Sequence, residues 1–460
     1  MTRRLNAVGM SLALAAVASL PLSVQAQGRP DLVSQSLRDA SRTYVPDELI
    51  IQFRRDVSES AKEGALRAVA GRLHDELLSA ASRRDGRGDL HVARLAPGLT
   101  VPAALQALAR HPAIDFVEPN WILRRQDLSN DKYYTSGQLW GMFGDDASLT
   151  QNNSFGSQAA EAWASKGTGC GSVVVAVIDE GYMITHPELA PNVWTNPGEV
   201  AGNGVDDDGN GLIDDVNGWD FAGNNNSVFD GVGDDHGTHV AGTIGGVGGN
   251  SAGVAGMCWS IKMIAVKFLG SSGGTTANAI KSVDYVTDLK TRHGLNLVAT
   301  NNSWGGGGFS QGLQDAITRA GDADILFMAA AGNSGINTDF SPHYPSSYDN
   351  ANIISVASIE KTGAISGFSN FGATSVDLGA PGGDIWSTVP RRFVRFPNGY
   401  NSYSGTSMAT PHVTGAAAMY SARNGGTAAQ IKAAILGTAV PTPSLAGKTV
   451  TGGRLDVSSF

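Results

Sequence analysis

Four polar residues stand next to predicted strand ends or helix starts. Together they could activate one of them, a serine, for nucleophilic attack. Asp179 ends an apolar run, and His236 opens a predicted helix. Asn333 follows another apolar run, and Ser407 lies at a turn that leads into a buried helix. An acid, a base, an amide donor and a hydroxyl are the groups that acyl transfer through a serine nucleophile requires.

Each of the four also has an ordinary structural explanation. Serine is a common helix N-cap, Asn-Ser-Gly is a common turn, and a buried carboxylate can cap a turn. A single histidine such as His236 is more often structural than catalytic. We interpret His239 as structural, because zinc-binding pairs on helices are usually spaced by four residues and this pair is closer.

Apolar, β-branched runs predict the strands that would bring these residues together. Such runs are typical of parallel strands buried on both faces, and they occur at 172–178, 261–269, 297–300, 325–331 and 353–357. Helical patterns alternate with them at 236–246, 277–289 and 311–320. The alternation predicts an α/β fold with a doubly wound, mostly parallel sheet, in which a site forms beyond the carboxyl ends of the strands.

The N-terminal part predicts a targeting signal followed by a small α/β unit. A basic start, an apolar run over 7–20 and a small-residue pattern ending at Ala26 indicate a cleaved signal peptide rather than an uncleaved anchor. The segments after residue 44 predict strands at 48–53, 90–95 and 114–117 and helices at 60–73 and 101–108. This order predicts a ferredoxin-like β-α-β-β-α-β unit.

Composition narrows the classes of partner. The chain of 460 residues has a formal net charge of −9, and acidic side chains predominate after residue 125. An acidic body argues against nucleic acid as a partner, and no membrane segment is predicted beyond the signal peptide. Cys170 and Cys258 are the two cysteines. In an exported protein such a pair is more often a disulfide than two free thiols.

An acidic segment at 206–215 predicts a Ca²⁺ site. Asp206, Asp208 and Asn210 occupy positions 1, 3 and 5 of an EF-hand-like loop. The full set of candidate ligands, which all offer an oxygen, is Asp206, Asp208, Asn210, Leu212, Asp214 and Asp215. The alternative is a solvated acidic turn, since the loop has no glutamate at position 12.

With these motifs in hand, the sequence resembles the subtilisin-like (subtilase) serine protease family. The matching segments are 177–181 (VIDEG), 236–243 (HGTHVAGT), 302–306 (NSWGG), 330–333 (AAGN) and 405–412 (GTSMATPH). They follow the order of the family, and the resemblance covers about residues 130–460. Segments 46–50 and 117–120 resemble the inhibitor-type propeptide of the same proteases.

The resemblance implies a role for each candidate residue. Ser407 would attack a peptide carbonyl, His236 would act as the base, and Asp179 would orient the imidazole. Asn333 and the Ser407 N–H would bind the oxyanion. The residues implied to bind an extended substrate are Ser303, Trp304, Gly305, Ala331 and His343. For His343, a surface turn is the alternative.

The resemblance also implies two structural sites and contains one departure. Cys170 and Cys258 would lie at the starts of neighbouring parallel strands and form a disulfide. Glu188 and Asn250, with carbonyls near Val254, would form a second calcium site. Glu180 stands where the family usually has serine or threonine, and we expect it to face solvent or a cation.

We therefore expect a secreted serine endopeptidase that is made as an autoprocessed precursor. The expected parts are a signal peptide at 1–26, a propeptide at 27–125 with an inhibitor fold from about 44, and a peptidase domain at 126–460. The expected partners are protein or peptide substrates and the protein's own propeptide, and no nucleic-acid or membrane partner is expected. We expect Ca²⁺ as a structural ion and no cofactor for the chemistry. The expected oligomeric state is a monomer. A serine-carboxyl protease and a non-catalytic, calcium-stabilised surface protein are the alternatives.

Overall fold

The computed structural model describes residues 30–38, 44–69, 71–77, 88–121, 129–146, 152–390 and 398–460. The predicted signal peptide and residues 122–125 of the predicted cleavage region lie outside this part. The chain divides into two compact units, 1–124 and 125–460. Among the described residues, no helix combines the length and the apolar character needed to cross a membrane.

The N-terminal unit has a four-stranded sheet in the order β2-β3-β1-β4, with antiparallel neighbours. Its elements are α1 (Pro30–Ser36), β1 (Tyr44–Phe53), α2 (Glu59–Arg67), β2 (Arg72–Glu76), β3 (Leu90–Arg94), α3 (Val101–Leu108) and β4 (Ile114–Trp121). From β1 onwards this is the predicted β-α-β-β-α-β order. The helix predicted at 60–73 is too long, because α2 ends at Arg67 and Leu73 pairs with Ala93 of β3.

The larger unit has a nine-stranded sheet in the order β14-β15-β11-β10-β9-β8-β5-β7-β6, parallel except for the β14–β15 pair. Its strands are β5 (Gly169–Asp179), β6 (Gly218–Asp220), β7 (Ser260–Lys267), β8 (Leu297–Asn302), β9 (Leu326–Ala330), β10 (Ile353–Ile359), β11 (Leu378–Pro381), β14 (Val440–Pro441) and β15 (Gly453–Arg454), and a separate hairpin pairs β12 (Ile385–Pro390) with β13 (Asn398–Tyr403). This confirms the predicted α/β fold.

Helices cover both faces of this sheet. They are α4 (Lys132–Thr135), α5 (Ala159–Lys166), α6 (Asp235–Gly245), α7 (Thr276–His293), α8 (Gln311–Asp322), α9 (Thr406–Asn424) and α10 (Ala428–Gly437). Side chains alternate along β5, so that Val175 and Val177 pack with α6 and α9 while Ala176 and Ile178 pack with α7 and α8. Two apolar cores therefore enclose β5, which explains its uninterrupted apolar sequence.

Helix α9 is buried along most of its length and packs against both the sheet and α6. Its small residues permit this close contact: a Cβ at Gly415 would lie 2.3 Å from Cβ of Met257. Strands β9, β8 and β5 are adjacent and parallel, so their carboxyl ends share one edge of the sheet. The starts of α6 and α9 bring further side chains to that edge.

Candidate active site

Asp179 and His236 form a hydrogen-bonded pair at the end of β5. The imidazole Nδ1 and the Asp179 Oδ1 atoms are 2.9 Å apart, and Asp179 is fully buried. The same carboxylate oxygen accepts the backbone N–H of Glu180 at 2.8 Å. Burial alone would lower the pKa of His236, but the charge and the hydrogen bond of Asp179 outweigh it, so the pKa is raised well above its ordinary value.

A glycine permits the approach of α6 to β5 that this pair needs. A Cβ at Gly237 would lie 2.1 Å from the carbonyl oxygen of Gly181 and 3.3 Å from Oδ1 of Asp179. Any larger residue would therefore push the start of α6 away from the end of β5. The glycine that follows His236 in the HGTH segment thus has a steric explanation.

Ser407 is the second residue of α9 and is tied to the end of β8. Its hydroxyl donates to the carbonyl oxygen of Ser303 at 3.0 Å, and the Ser303 hydroxyl donates to the carbonyl oxygen of Ser407 at 2.9 Å. The Ser303 hydroxyl also accepts from the Asn301 amide at 2.9 Å. These reciprocal bonds hold the start of α9 against the strand that ends at Asn302.

Asn333 lies beside the same helix start. Its Oδ1 accepts the backbone N–H of Thr406 at 2.9 Å and the Thr406 hydroxyl at 3.0 Å. With Oδ1 used in this way, the amide nitrogen is the donor of the side chain, and it has no hydrogen-bond partner among the described residues. A Cβ at Gly405 would lie 3.6 Å from both this nitrogen and the backbone nitrogen of Ser407. Two N–H donors therefore flank one small space at the start of α9.

Several of the residues expected to bind substrate meet at the imidazole of His343. The imidazole of His343 lies between two chain segments, because a Cβ at Gly305 would be 2.2 Å from its Cε1 and a Cβ at Gly332 would be 3.0 Å from its Nε2. Its Nδ1 is 3.0 Å from the Ser346 hydroxyl, and burial lowers its pKa. Ala331, which precedes Gly332, is buried.

Trp304 makes contacts that differ from those of a side chain lying free in a cleft. Its ring packs edge-to-face on Phe268 at 4.8 Å and on Phe327 at 6.2 Å between centroids. The indole is therefore partly buried and packs against the apolar core on the α7 and α8 face of the sheet.

His239 has the structural role that the sequence predicts for it. It is fully buried, its Nε2 is 2.8 Å from the carbonyl oxygen of Ile385, and its ring stacks on Tyr403 at 4.6 Å. Burial lowers the pKa of His239 to about 3, so the ring is neutral in the folded protein.

The acidic segment forms a carboxylate cluster whose membership differs from the predicted set. Oxygens of Glu199, Asp206 and Asp208 lie within 4.8 Å of one another. Glu199, which sequence reasoning missed, also accepts the N–H of Asp208 at 3.1 Å. Three carboxylates this close repel each other without a counter-charge, and an all-oxygen donor set suits a hard cation. These residues fit a Ca²⁺ ion.

The remaining predicted ligands have other partners in this structure. Asp214 accepts the N–H groups of residues 202, 203 and 204, at 2.7 to 3.2 Å. Asp215 is fully buried and accepts from the Tyr285 hydroxyl at 2.6 Å. Asn210 accepts the N–H of Leu212 at 2.8 Å and donates to Asp208 and Asp215. The carboxylates of Asp214 and Asp215 thus organise the loop rather than join the cluster.

The second predicted cation site is also assembled in part. Glu188 is buried and accepts the Asn250 amide at 3.1 Å and the Tyr400 hydroxyl at 3.0 Å. Asp131, which lies far away in sequence and was not predicted, accepts the N–H of Asn250 at 3.1 Å. Burial is the main reason that the pKa of Glu188 is raised to about 7.

Cys170 and Cys258 form a disulfide in which the two Cα atoms are 5.6 Å apart. Cys170 lies near the start of β5, and Cys258 lies just before β7. These strands are parallel neighbours, so the bond joins the starts of two strands whose opposite ends lie near the candidate site.

Comparison with known proteins gives the family. Residues 171–456 match the model of the subtilase family, and residues 33–120 match that of the fervidolysin N-terminal prodomain. The chain is 31% identical over 419 residues to the thermophilic serine proteinase of Bacillus sp. (strain AK1), covering 89% of this chain and 88% of that protein. It is 37% identical over 284 residues to thermitase of Thermoactinomyces vulgaris, covering 61% of this chain and 85% of thermitase.

Solved structures agree with this assignment. A protease of Pseudoalteromonas arctica PAMC 21717 aligns with a TM-score of 0.57 and 26% identity, covering 72% of this chain and 98% of that one. A cold-adapted subtilisin-like serine proteinase aligns with a TM-score of 0.52 and 28% identity, covering 72% and 99%. The family match extends over more than half of the sequence, and the chain therefore belongs to the subtilase family of serine proteases and is a hydrolase.

Proposed function

We propose that this protein is a secreted endopeptidase that cleaves peptide bonds through a triad of Ser407, His236 and Asp179. The observation that carries the proposal is the arrangement at one sheet edge. A buried carboxylate holds Nδ1 of His236 at 2.9 Å, and the hydroxyl of Ser407 and the amide of Asn333 lie at the start of α9.

The chemistry follows from this arrangement. The Ser407 hydroxyl leaves its bond to the Ser303 carbonyl and attacks the substrate carbonyl carbon, while Nε2 of His236 accepts its proton. The oxyanion that forms accepts hydrogen bonds from the side-chain amide of Asn333 and from the backbone N–H of Ser407. Collapse of the intermediate expels the amine, which receives the proton from His236, and water then hydrolyses the acyl-enzyme by the same route. Asp179 stabilises the imidazolium in both halves of the reaction.

Substrate recognition is proposed to use the 303–305 segment as a strand that pairs with an extended peptide. Gly305 and Ala331 then flank the side chain that precedes the cleaved bond, and the imidazole of His343 closes the slot between them. An imidazole in this position shortens the slot, so small or polar side chains are the expected substrates at that position.

A structural Ca²⁺ ion is proposed at the cluster of Glu199, Asp206 and Asp208. When bound, the ion neutralises the carboxylates and ties the loop together, and it takes no part in the chemistry. We expect that chelation lowers the thermal midpoint of unfolding, and that an Asp206→Asn/Asp208→Asn variant has a lowered midpoint that chelation changes less. Equal responses of variant and wild type to chelation would place the ion elsewhere, with the group around Glu188 as the next candidate.

The precursor organisation is also a proposal. Residues 1–26 act as a signal peptide, 27–125 as a propeptide, and 126–460 as the peptidase domain, with self-cleavage near residues 121–125. Three points support it: the prodomain match at residues 33–120, the ferredoxin-like unit from residue 44, and relatives named as extracellular proteases in Dichelobacter nodosus and Xanthomonas campestris. A monomer acting on protein substrates, with its propeptide as inhibitor, completes the proposal.

One experiment tests the central claim. Wild type and Ser407→Ala are produced in a host strain that lacks secreted proteases, and precursor processing and casein cleavage are measured for both. We expect both activities in wild type and neither in the variant. Casein cleavage that persists in purified Ser407→Ala would refute the triad, and a folded, processed wild type without activity would favour the non-catalytic alternative.

A further inference from the structure

Glu180 makes a contact that the proposed triad does not explain. Its Oε1 accepts the backbone N–H of His236 at 2.6 Å, and its side chain is partly buried. The expectation that this carboxylate faces solvent or a cation is therefore wrong. The structure places it at the start of the helix that carries the candidate base.

Helix α6 needs this contact, because its own N-cap residue does not provide it. Asp234 is the N-cap, and its side chain makes no capping hydrogen bond. Its carboxylate accepts instead from Nζ of Lys267 at 2.7 Å and from the N–H of Asp230 at 2.6 Å. The first N–H groups of a helix require a partner from outside it, and Glu180 supplies one from the end of β5.

The turn that contains Glu180 is fixed on two sides. Gly181 has a φ of +87°, and a Cβ there would lie 2.3 Å from the carbonyl oxygen of Val228. Nζ of Lys267 donates to the carbonyl oxygen of Glu180 at 2.5 Å. The side chain of Glu180 is thus directed at α6 by the surrounding backbone.

The charged groups that face Glu180 are Asp179 from β5, Asp235 and His236 from α6, and Lys267 from β7. Burial and then the charge of Asp179 raise the pKa of Glu180 to about 7. For His236, burial lowers the pKa, while Asp179 and, to a smaller degree, Glu180 raise it. Above about pH 7, where it is ionised, Glu180 therefore adds a further negative charge near the imidazole.

We propose that Glu180 is a positioning residue of the catalytic centre, which caps α6 through the backbone of His236 and stabilises the imidazolium together with Asp179. The inference rests on the proposed triad. It has two separable parts, since the cap requires only an acceptor oxygen whereas the electrostatic part requires a charge. Glu180→Gln keeps the acceptor and loses the charge, and Glu180→Ala loses both.

The test compares these two variants with wild type and with Asp288→Asn, which removes one surface charge on α7. Mature enzymes are normalised by titration of the reactive serine with phenylmethanesulfonyl fluoride. The dependence of kcat and KM on pH is then measured with a chromogenic peptide. The rate of serine sulfonylation is measured over the same pH range, because it depends on His236 without peptide binding.

Removal of the Glu180 charge disfavours the imidazolium and so lowers the pKa of His236. The acid limb of both pH profiles, for peptide cleavage and for sulfonylation, should therefore move to lower pH. We expect a shift of about half to one pH unit in both Glu180 variants and none in Asp288→Asn. In Glu180→Ala the plateau kcat should also fall about tenfold at nearly constant KM, and Glu180→Gln should restore it to within about threefold. Thermal unfolding of each substitution in the Ser407→Ala precursor measures the cap without activity, and only the Ala variant should lose stability.

Two results would overturn the inference. An acid limb of Glu180→Gln that coincides with wild type would remove the electrostatic part, and equal stability and plateau kcat of the Ala and Gln variants would remove the cap. Failure of the triad itself is distinguishable, because Ser407→Ala would then retain activity whatever stands at position 180.

Discussion

The disulfide between Cys170 and Cys258 yields a prediction whose size can be worked out. The bond spans 88 residues of sequence. Closing a loop of this length lowers the entropy of the unfolded chain by an amount worth about 4.6 kcal/mol at 25 °C. Both cysteines are buried at the starts of parallel strands, so the folded state holds them together whether or not the bond is present. Removal of the bond should therefore act mainly by raising the entropy of the unfolded chain, which lowers the free energy of unfolding.

We expect Cys170→Ala/Cys258→Ala to lower the unfolding temperature of the larger unit by about 7 °C. This value follows because the entropy of unfolding near 60 °C is about 2.1 cal/mol/K per residue, or roughly 0.7 kcal/mol/K for residues 126–460. Calorimetry is carried out in a Ser407→Ala background to prevent self-digestion. Reductant should lower the midpoint of the parent protein and leave that of the double variant unchanged. A parent protein with two reactive thiols after denaturation without reductant, or equal midpoints, would refute the reasoning.

Three further predictions concern the candidate site and its surroundings. Asn333→Ala should lower kcat by about 10²–10³ with little change in KM, because the amide donates only to the developing oxyanion. A fall in kcat/KM of the same size that comes only from a raised KM would contradict this role. His343→Gly should raise kcat/KM for a phenylalanine before the cleaved bond by about 10- to 150-fold relative to alanine, since burying that ring is worth about 1.5–3 kcal/mol; an unchanged ratio would show that His343 does not limit the slot. Burial lowers the pKa of His239 to about 3 and of His412 to about 4. Below about pH 6.5 these histidines therefore bind protons in the unfolded chain but not in the folded one. The free energy of unfolding should then fall as pH falls from 6.5 toward 4, by up to about 1.4 kcal/mol per pH unit for each histidine. Urea unfolding of the Ser407→Ala precursor between pH 7 and 5 should show this slope, and an equal slope in His239→Gln would exclude His239 as a source.

Some features could not be predicted because they depend on contacts between distant segments. Glu199 joins Asp206 and Asp208 although it stands outside the acidic run. Asp131 reaches the group around Glu188 from more than fifty residues earlier. Neither residue has a local pattern that distinguishes it from the other acidic residues of the chain. Their positions follow from loop packing, which single-sequence periodicity does not contain.

Local pattern also misled in identifiable places. The apolar spacing through Leu73 continues that of a helix, but α2 ends earlier and the residue pairs in a sheet, because the β-pairing with β3 outweighs a weak helical preference. At Trp304 the motif did not indicate the aromatic contacts that the indole makes with Phe268 and Phe327, and its expected part in substrate binding stays a prediction. Sequence motifs describe the backbone segment there, whereas the side-chain direction depends on the surrounding core.

The sequence by itself determined the α/β fold class, the positions of five of the nine strands in the larger sheet and the residue types at their ends. It did so because buried parallel strands require continuous apolar runs, and the polar residues that follow them stand out. Only the tertiary structure decided which of these residues meet, since Asp179 and His236 are joined by the approach of α6 to β5, and Ser407 and Asn333 by the packing of α9. The proposed role of Glu180 likewise depends on the tertiary structure, because its partner is the backbone N–H of His236, and no residue type in the sequence indicates such a contact.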